Sequence, residues 1–126
     1  MSGKRTVLVV DDEVHIRRVL EHKFHKKGFD VLQAANGEEA LALIRERQPD
    51  ILITDISMPR MDGRTLCEQS DVLKQHKTFL TIIVTGRIAP EDKEWVSRLR
   101  DSVLLEKPFS TVRLLECVSA YLKEHA

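Results

Sequence analysis

Residues 50–63 read DILITDISMPRMDG, and the fold follows from how this stretch is read. Ile51–Thr54 is a short, mostly apolar run rich in β-branched residues, without the polar alternation of a half-exposed strand. Such a run suits a strand buried on both faces, as in a parallel sheet. It leads directly into Asp55 and then into a loop containing Pro59 and Gly63, residue types that serve loop backbone geometry. A carboxylate is thereby placed at the carboxyl end of a buried strand.

The same pattern recurs outward from this segment. Thr6–Val10 (TVLVV) and Thr81–Val84 (TIIV) are similar runs, Val103–Leu105 (VLL) is a shorter one, and Val31–Ala34 (VLQA) is mixed enough for a strand nearer the edge. Between them the period becomes helical. Ile16, Leu20 and Phe24 recur at i, i+4, i+8, with Arg17, Arg18, Glu21 and His22 on the other sides. Ala40, Leu41 and Ile44 mark a second amphipathic stretch, entered through Asn36-Gly37 with Glu38 and Glu39 in its first turn, where acidic groups suit the helix dipole. Residues 63–75 form a third stretch of less regular spacing. A fourth opens at Pro90 and carries Trp95, Val96 and Leu99. The fifth follows Ser110, an N-cap type, and shows Leu114, Leu115, Val118, Tyr121 and Leu122. Five strand-then-helix units with crossovers too long for hairpins predict right-handed connections and a doubly wound α/β domain, helices on both sheet faces. One domain is expected to fill residues 1–126.

Composition narrows the function classes. The 126 residues are 42% hydrophobic and 32% charged, with 20 Lys plus Arg against 20 Asp plus Glu. That mixture is globular, and zero formal net charge argues against direct nucleic-acid binding. No apolar run approaches the roughly 18 residues of a membrane span. The apolar run Val7–Val10 is too short for a signal peptide, so a cytoplasmic protein is expected. Cys67 and Cys117 have no CxxC partner and read as core or half-buried residues. The five histidines, His15, His22, His25, His76 and His125, lack acidic or cysteine partners at ligand spacing and read as surface residues. Trp95 with Leu99 is expected at the core edge in preference to an exposed partner patch, and Tyr121 likewise.

Ligands of open α/β sheets bind outside the carboxyl ends of the strands. There the first strand runs into Asp11-Asp12-Glu13, the third into Asp55, the fourth into Thr85-Gly86 and the last into Lys107-Pro108. Carboxylates gathered in one pocket repel, and a hard divalent cation removes the conflict. Magnesium takes oxygen ligands: carboxylates, waters and phosphate oxygens. A carboxylate also serves as a nucleophile, forming an aspartyl phosphate. Lys107 could pair with phosphoryl oxygens and Thr85 offers a hydroxyl, so the group reads as a phosphoryl-transfer site.

Across essentially its whole length the chain resembles the receiver domains of two-component response regulators. The segments that carry the likeness are Val7–Glu13 (VLVVDDE), Asp50–Gly63, Ile82–Gly86 (IIVTG) and Glu106–Phe109 (EKPF), in that order. The resemblance implies a flavodoxin-like five-stranded parallel sheet of order 2-1-3-4-5, an order the general rule for doubly wound folds illustrates with a receiver. It implies Asp55 as both the phosphorylation site and a ligand of Mg2+, Asp11 and Asp12 as the acidic pair holding that ion, and Ser57 as the source of a backbone carbonyl ligand. It further implies Thr85 as the switch hydroxyl, Lys107 as the lysine bridging to the phosphoryl group, and a cis peptide at Lys107-Pro108. The implied donor is a phosphohistidine on a sensor histidine kinase or a histidine phosphotransfer protein, and the output is contact with a downstream protein. Such a domain is a switch that catalyses its own phosphorylation and not a conventional turnover enzyme. Many similar domains also pair as homodimers through the fourth helix, last strand and fifth helix.

Departures bear on output more than on chemistry. Leu104 stands where receivers usually carry Tyr or Phe, so it cannot supply the ring that turns inward on activation. Leu99-Arg-Asp-Ser102 replaces the usual Gly-Ala turn, which predicts altered local geometry. Arg87 lies near the expected approach to the phosphoryl group. A degenerate receiver that binds partners without phosphorylation is the alternative. A magnesium phosphatase is a weaker one, because Ser57 stands where such enzymes place a second aspartate. No output domain is expected in this chain.

Overall fold

Strands β1 (Thr6–Val10), β2 (Asp30–Ala34), β3 (Ile51–Asp55), β4 (Leu80–Thr85) and β5 (Ser102–Glu106) pair in parallel in the order β2-β1-β3-β4-β5. Helices α1 (Val14–Lys26), α2 (Gly37–Arg47), α3 (Gly63–Asp71), α4 (Pro90–Ser97) and α5 (Thr111–Glu124) connect and cover them. The computed structural model describes residues 4–108 and 110–125. Met1–Gly3, Ala126 and Phe109, the last residue of the Glu106–Phe109 motif, lie outside the described residues.

Side chains of a strand alternate between sheet faces, so a strand covered on both sides must be apolar at every position. Val7, Val9, Ile51, Ile53, Ile82 and Val84 pack with Leu20 and Phe24 of α1 and with Leu114 and Val118 of α5. The intervening Leu8, Val10 and Leu52 pack with Ala40, Leu41 and Ile44 of α2 and Leu66 of α3. Ile83 meets Cys67, Trp95 and Val96 in a third cluster toward α4. The unbroken apolar runs read from the sequence therefore reflect two buried faces. Trp95 and Tyr121 are buried, and all five histidines are exposed.

Caps fix where the helices begin. The Asn36 side chain accepts from the Glu39 N–H at 2.9 Å, while Glu39 accepts from the Ala35 N–H at 2.9 Å. Asp62 accepts from Thr65 N–H at 2.8 Å, and Ser110 from Arg113 N–H at 3.0 Å. The stretch expected as one helix over 63–75 divides: α3 stops at Asp71 and a 3-10 turn spans Val72–Gln75.

The missing Gly-Ala turn before β5 has a structural substitute. Asp101 adopts φ +44°, a left-handed conformation tolerated by Asp better than by most residues. The Lys74 ammonium reaches across from the 3-10 turn to the Arg100 carbonyl and, at 3.4 Å, to that of Asp101. Asp71 closes the joint by accepting from the Arg100 N–H at 3.0 Å.

Candidate functional site

Asp55 is the last residue of β3, and Lys107 follows directly on β5. The two are 52 positions apart in sequence, yet Lys107 Nζ lies 3.0 Å from Asp55 Oδ2. The other carboxylate oxygen, Oδ1, accepts from the Ile56 N–H at 2.7 Å. Lys107-Pro108 is a cis peptide. The Lys107 N–H donates to the Thr85 carbonyl at 2.7 Å, tying the ends of β4 and β5 together beside the site.

Gly63 makes the loop beyond Asp55 possible. Its N–H donates to the Ile56 carbonyl at 2.7 Å, and a Cβ placed on it would lie 2.0 Å from the Asp55 carbonyl oxygen. Any side chain there would displace the residue that carries the carboxylate. Gly37 plays a matching part at α2, where a Cβ would sit 2.4 Å from the Met61 carbonyl oxygen. Ser57 lies in this loop, two residues past Asp55, and is exposed.

Asp11, Asp12 and Glu13 follow β1 and offer carboxylate oxygens all within 4.8 Å of one another. Asp11 is buried, while Asp12 and Glu13 are exposed. Burial pushes the Asp11 carboxyl above its ordinary value. The Glu13 N–H, which it accepts at 2.9 Å, and the Lys107 charge oppose that rise, whereas the negative charges of Asp55 and Asp12 add to it. Asp55 is thus close enough for its charge to be felt at Asp11, although it stands outside the group of three. Burial pulls Lys107 down, but the hydrogen bond and charge of Asp55, helped by Asp11 and Glu13, outweigh it and raise its pKa. Clustered anionic oxygens, one of them desolvated, fit a hard divalent cation.

The Thr85 hydroxyl is engaged within its own loop, donating to the Arg87 carbonyl at 3.2 Å and accepting from the Arg87 N–H at 3.4 Å. Leu104 is half-buried against the cluster of Cys67, Ile83, Trp95 and Val96. Three contributors escaped sequence reasoning. Glu13 was read only as part of the acidic run, although its adjacency to Asp12 was a visible signal. Arg17 donates to the Asp11 carbonyl at 2.6 Å, six positions away on α1. Glu106 accepts from the Ile88 N–H at 2.9 Å, a contact that only the strand pairing brings about.

This geometry coincides with a match to the response regulator receiver domain family over residues 7–119. The chain belongs to that family. Among solved structures, a CheY-like response regulator receiver domain protein from Methanospirillum hungatei is 28% identical, with a TM-score of 0.89, over 97% of this chain and 96% of that one. The chemotaxis protein CheY4 of Vibrio cholerae is 30% identical, with a TM-score of 0.84, over 94% and 98%. A CheX–CheY–BeF3–Mg2+ complex from Borrelia burgdorferi matches at 28% identity and a TM-score of 0.79, over 94% and 89%. The receiver fold of this chain is thus CheY-like, with the strand order β2-β1-β3-β4-β5. Membership places this receiver in two-component signalling. Among the described residues, no helix is long and apolar enough to cross a membrane.

Proposed function

We propose that this receiver is a cytoplasmic, Mg2+-dependent phosphorelay switch in which Asp55 accepts a phosphoryl group from a phosphohistidine. The observation that carries the reading is the 3.0 Å contact of Lys107 with Asp55 Oδ2 beside the Asp11–Asp12–Glu13 group. An Asp55 carboxylate oxygen attacks phosphorus, the P–N bond breaks, and the imidazole leaves as a neutral ring after taking up a proton. Because the transferred group carries its negative charge on three oxygens, catalysis is mostly positioning and charge neutralisation. Asp11, Asp12 and Asp55, with the Ser57 carbonyl, would hold the metal, and Glu13 is close enough to Asp11 and Asp12 to contribute through water. When bound, the ion supplies positive charge against the phosphoryl oxygens. Lys107, 3.0 Å from Asp55 Oδ2, supplies a second positive charge. The Ile56 N–H fixes the carboxylate's orientation before attack.

Thr85 must leave Arg87 to offer its hydroxyl to the phosphoryl group, and that movement would couple the site to the β4–α4 loop. The chain acts on its own Asp55 and releases no product of a separate substrate, so it is a switch and not a turnover enzyme. Its partners would be a histidine kinase or a phosphotransfer protein and a downstream protein target, with residues 1–126 read as one receiver domain.

Incubation with Mg2+ and acetyl phosphate or phosphoramidate, followed by intact-mass measurement, tests the reading. One added phosphoryl group is expected, lost on chelation and in Asp55→Asn. No adduct from either small donor or from a cognate kinase would instead identify a receiver that works by binding alone.

A further inference from the structure

Glu106 lies at the end of β5 opposite Thr85 in the strand register, and it immediately precedes Lys107. It shares a sheet face with Leu104, two residues earlier, and Leu104 packs toward α4 against Trp95 and Val96. From that face its carboxylate accepts from the Ile88 N–H at 2.9 Å. The next amide, Ala89 N–H, is held at 2.9 Å by Asp92 of α4, and the other oxygen of Asp92 accepts from the Trp95 indole N–H at 3.1 Å. A chain of contacts therefore runs from Asp55 through Lys107 to Glu106, Ile88 and the first turn of α4.

We propose that Glu106 is a positioning residue that latches the β4–α4 loop in its resting arrangement. Resting on the reading of Asp55 as phosphoacceptor, it adds a regulatory element to that same site. While the carboxylate holds Ile88, the Thr85 hydroxyl stays with Arg87. Moving Lys107 toward a phosphoryl group shifts the residue bonded to it, and the loop is released from its partner. Leu104 has no ring or hydroxyl to carry such a change, so the polar link between β5 and the loop falls to Glu106. The contact is solvent-exposed and charge-assisted, which sets its strength as modest.

Trp95 is the single tryptophan and reports on α4 directly. Its fluorescence would be followed while beryllofluoride, a phosphoryl mimic, is titrated in Mg2+ against wild type, Glu106→Ala and Glu106→Gln. Removing the latch is expected to lower the half-saturating beryllofluoride concentration by about threefold to tenfold in Glu106→Ala. Glu106→Gln, which keeps a neutral acceptor, falls in between. The Mg2+-only emission of Glu106→Ala also moves part of the way toward the beryllofluoride-bound signal. A purely structural role would lower the melting temperature and leave the titration midpoint unmoved. Equal or raised midpoints in both variants, with a normal wild-type response, overturn the latch alone. No response in wild type, by fluorescence or by bound beryllium, overturns the phosphoacceptor reading together with it.

Discussion

Among the lysines paired with an aspartate, Lys107 and Lys74 are pushed in opposite directions by their surroundings. Lys107 sits at the carboxyl end of the sheet, 3.0 Å from Asp55, with its side chain 32% exposed. Lys74 sits under the loop preceding β5, 3.4 Å from Asp71, with its side chain 1% exposed and its ammonium 4.9 Å from the centre of the Phe79 ring. Burial acts to lower both. At Lys107 the charges of Asp55, Asp11 and Glu13 win and the pKa rises. At Lys74 desolvation wins over Asp71 and Asp101, and the pKa falls. An ion pair that must accept a third group is kept near water and beside spare negative charge. An ion pair that only joins two segments is sealed in and satisfied by carbonyls.

If that division is right, the two lysines separate function from stability. Lys107→Met is expected to slow phosphorylation by acetyl phosphate by about a hundredfold, the usual cost of removing one positioned charge from a transition state. Its unfolding free energy should stay within about 1 kcal/mol of wild type, because the pair is part-exposed. Rates from intact mass and urea unfolding curves check both halves. Lys74→Met should do the reverse, lowering stability by about 1–3 kcal/mol as the Arg100 and Asp101 carbonyls lose their donor. Its phosphorylation rate should remain within about a factor of two of wild type.

Asp11 sharpens the contrast from the acidic side. Its carboxyl is raised by burial, so the folded chain binds more protons than the unfolded chain in the window above 3.8. Metal-free stability therefore falls as pH rises through that window. Asp11→Asn keeps an acceptor for the Glu13 N–H and removes the desolvated charge. It should be more stable than wild type in EDTA at neutral pH, by about 1 kcal/mol, and should lose the Mg2+-induced rise in melting temperature. The smallest effect is at alkaline pH. Below 10.5 the unfolded chain binds more protons at position 74 than the folded one, so the Lys74 contribution grows as pH climbs toward 10.5. The Lys107 contribution is complete below 10.5 and is lost as pH passes its raised folded value. Unfolding free energies of the two Met variants across this range should diverge from wild type with opposite slopes.

What was legible follows the same division. The continuous apolar runs Val7–Val10 and Ile51–Thr54 told of strands covered on both faces, because a buried strand has no polar side to show. Asp55 was legible because it directly follows such a run, and Lys107 because only Glu106 separates it from the shorter run Val103–Leu105; the carboxyl ends of the strands gather at one edge of a parallel sheet. Lys74 was not, since VLKQ carries no sign that its lysine is enclosed; that depends on Phe79 and on carbonyls 26 and 27 positions away. The break of the third helix at Asp71 was hidden for a related reason: Asp71 and Lys74 are both committed to the β5 approach. Leu99–Ser102 announced only that the usual turn was missing. The replacement by a left-handed Asp101 and a distant lysine is a tertiary solution. Glu106 stood in the sequence only as the first residue of the Glu106–Phe109 motif, because its partner Ile88 lies 18 positions away and is brought beside it by the β4–β5 pairing.

The central claim is that one particular carboxylate among several takes the phosphoryl group. Borohydride reduces an acyl phosphate to an alcohol, so a phosphorylated aspartate becomes homoserine and can be located by peptide mass spectrometry. After treatment with phosphoramidate and Mg2+, homoserine is predicted at position 55 alone, and nowhere when EDTA is present. Homoserine at position 11 or 12, or a phosphoryl group recovered on a histidine with position 55 unmodified, would contradict it.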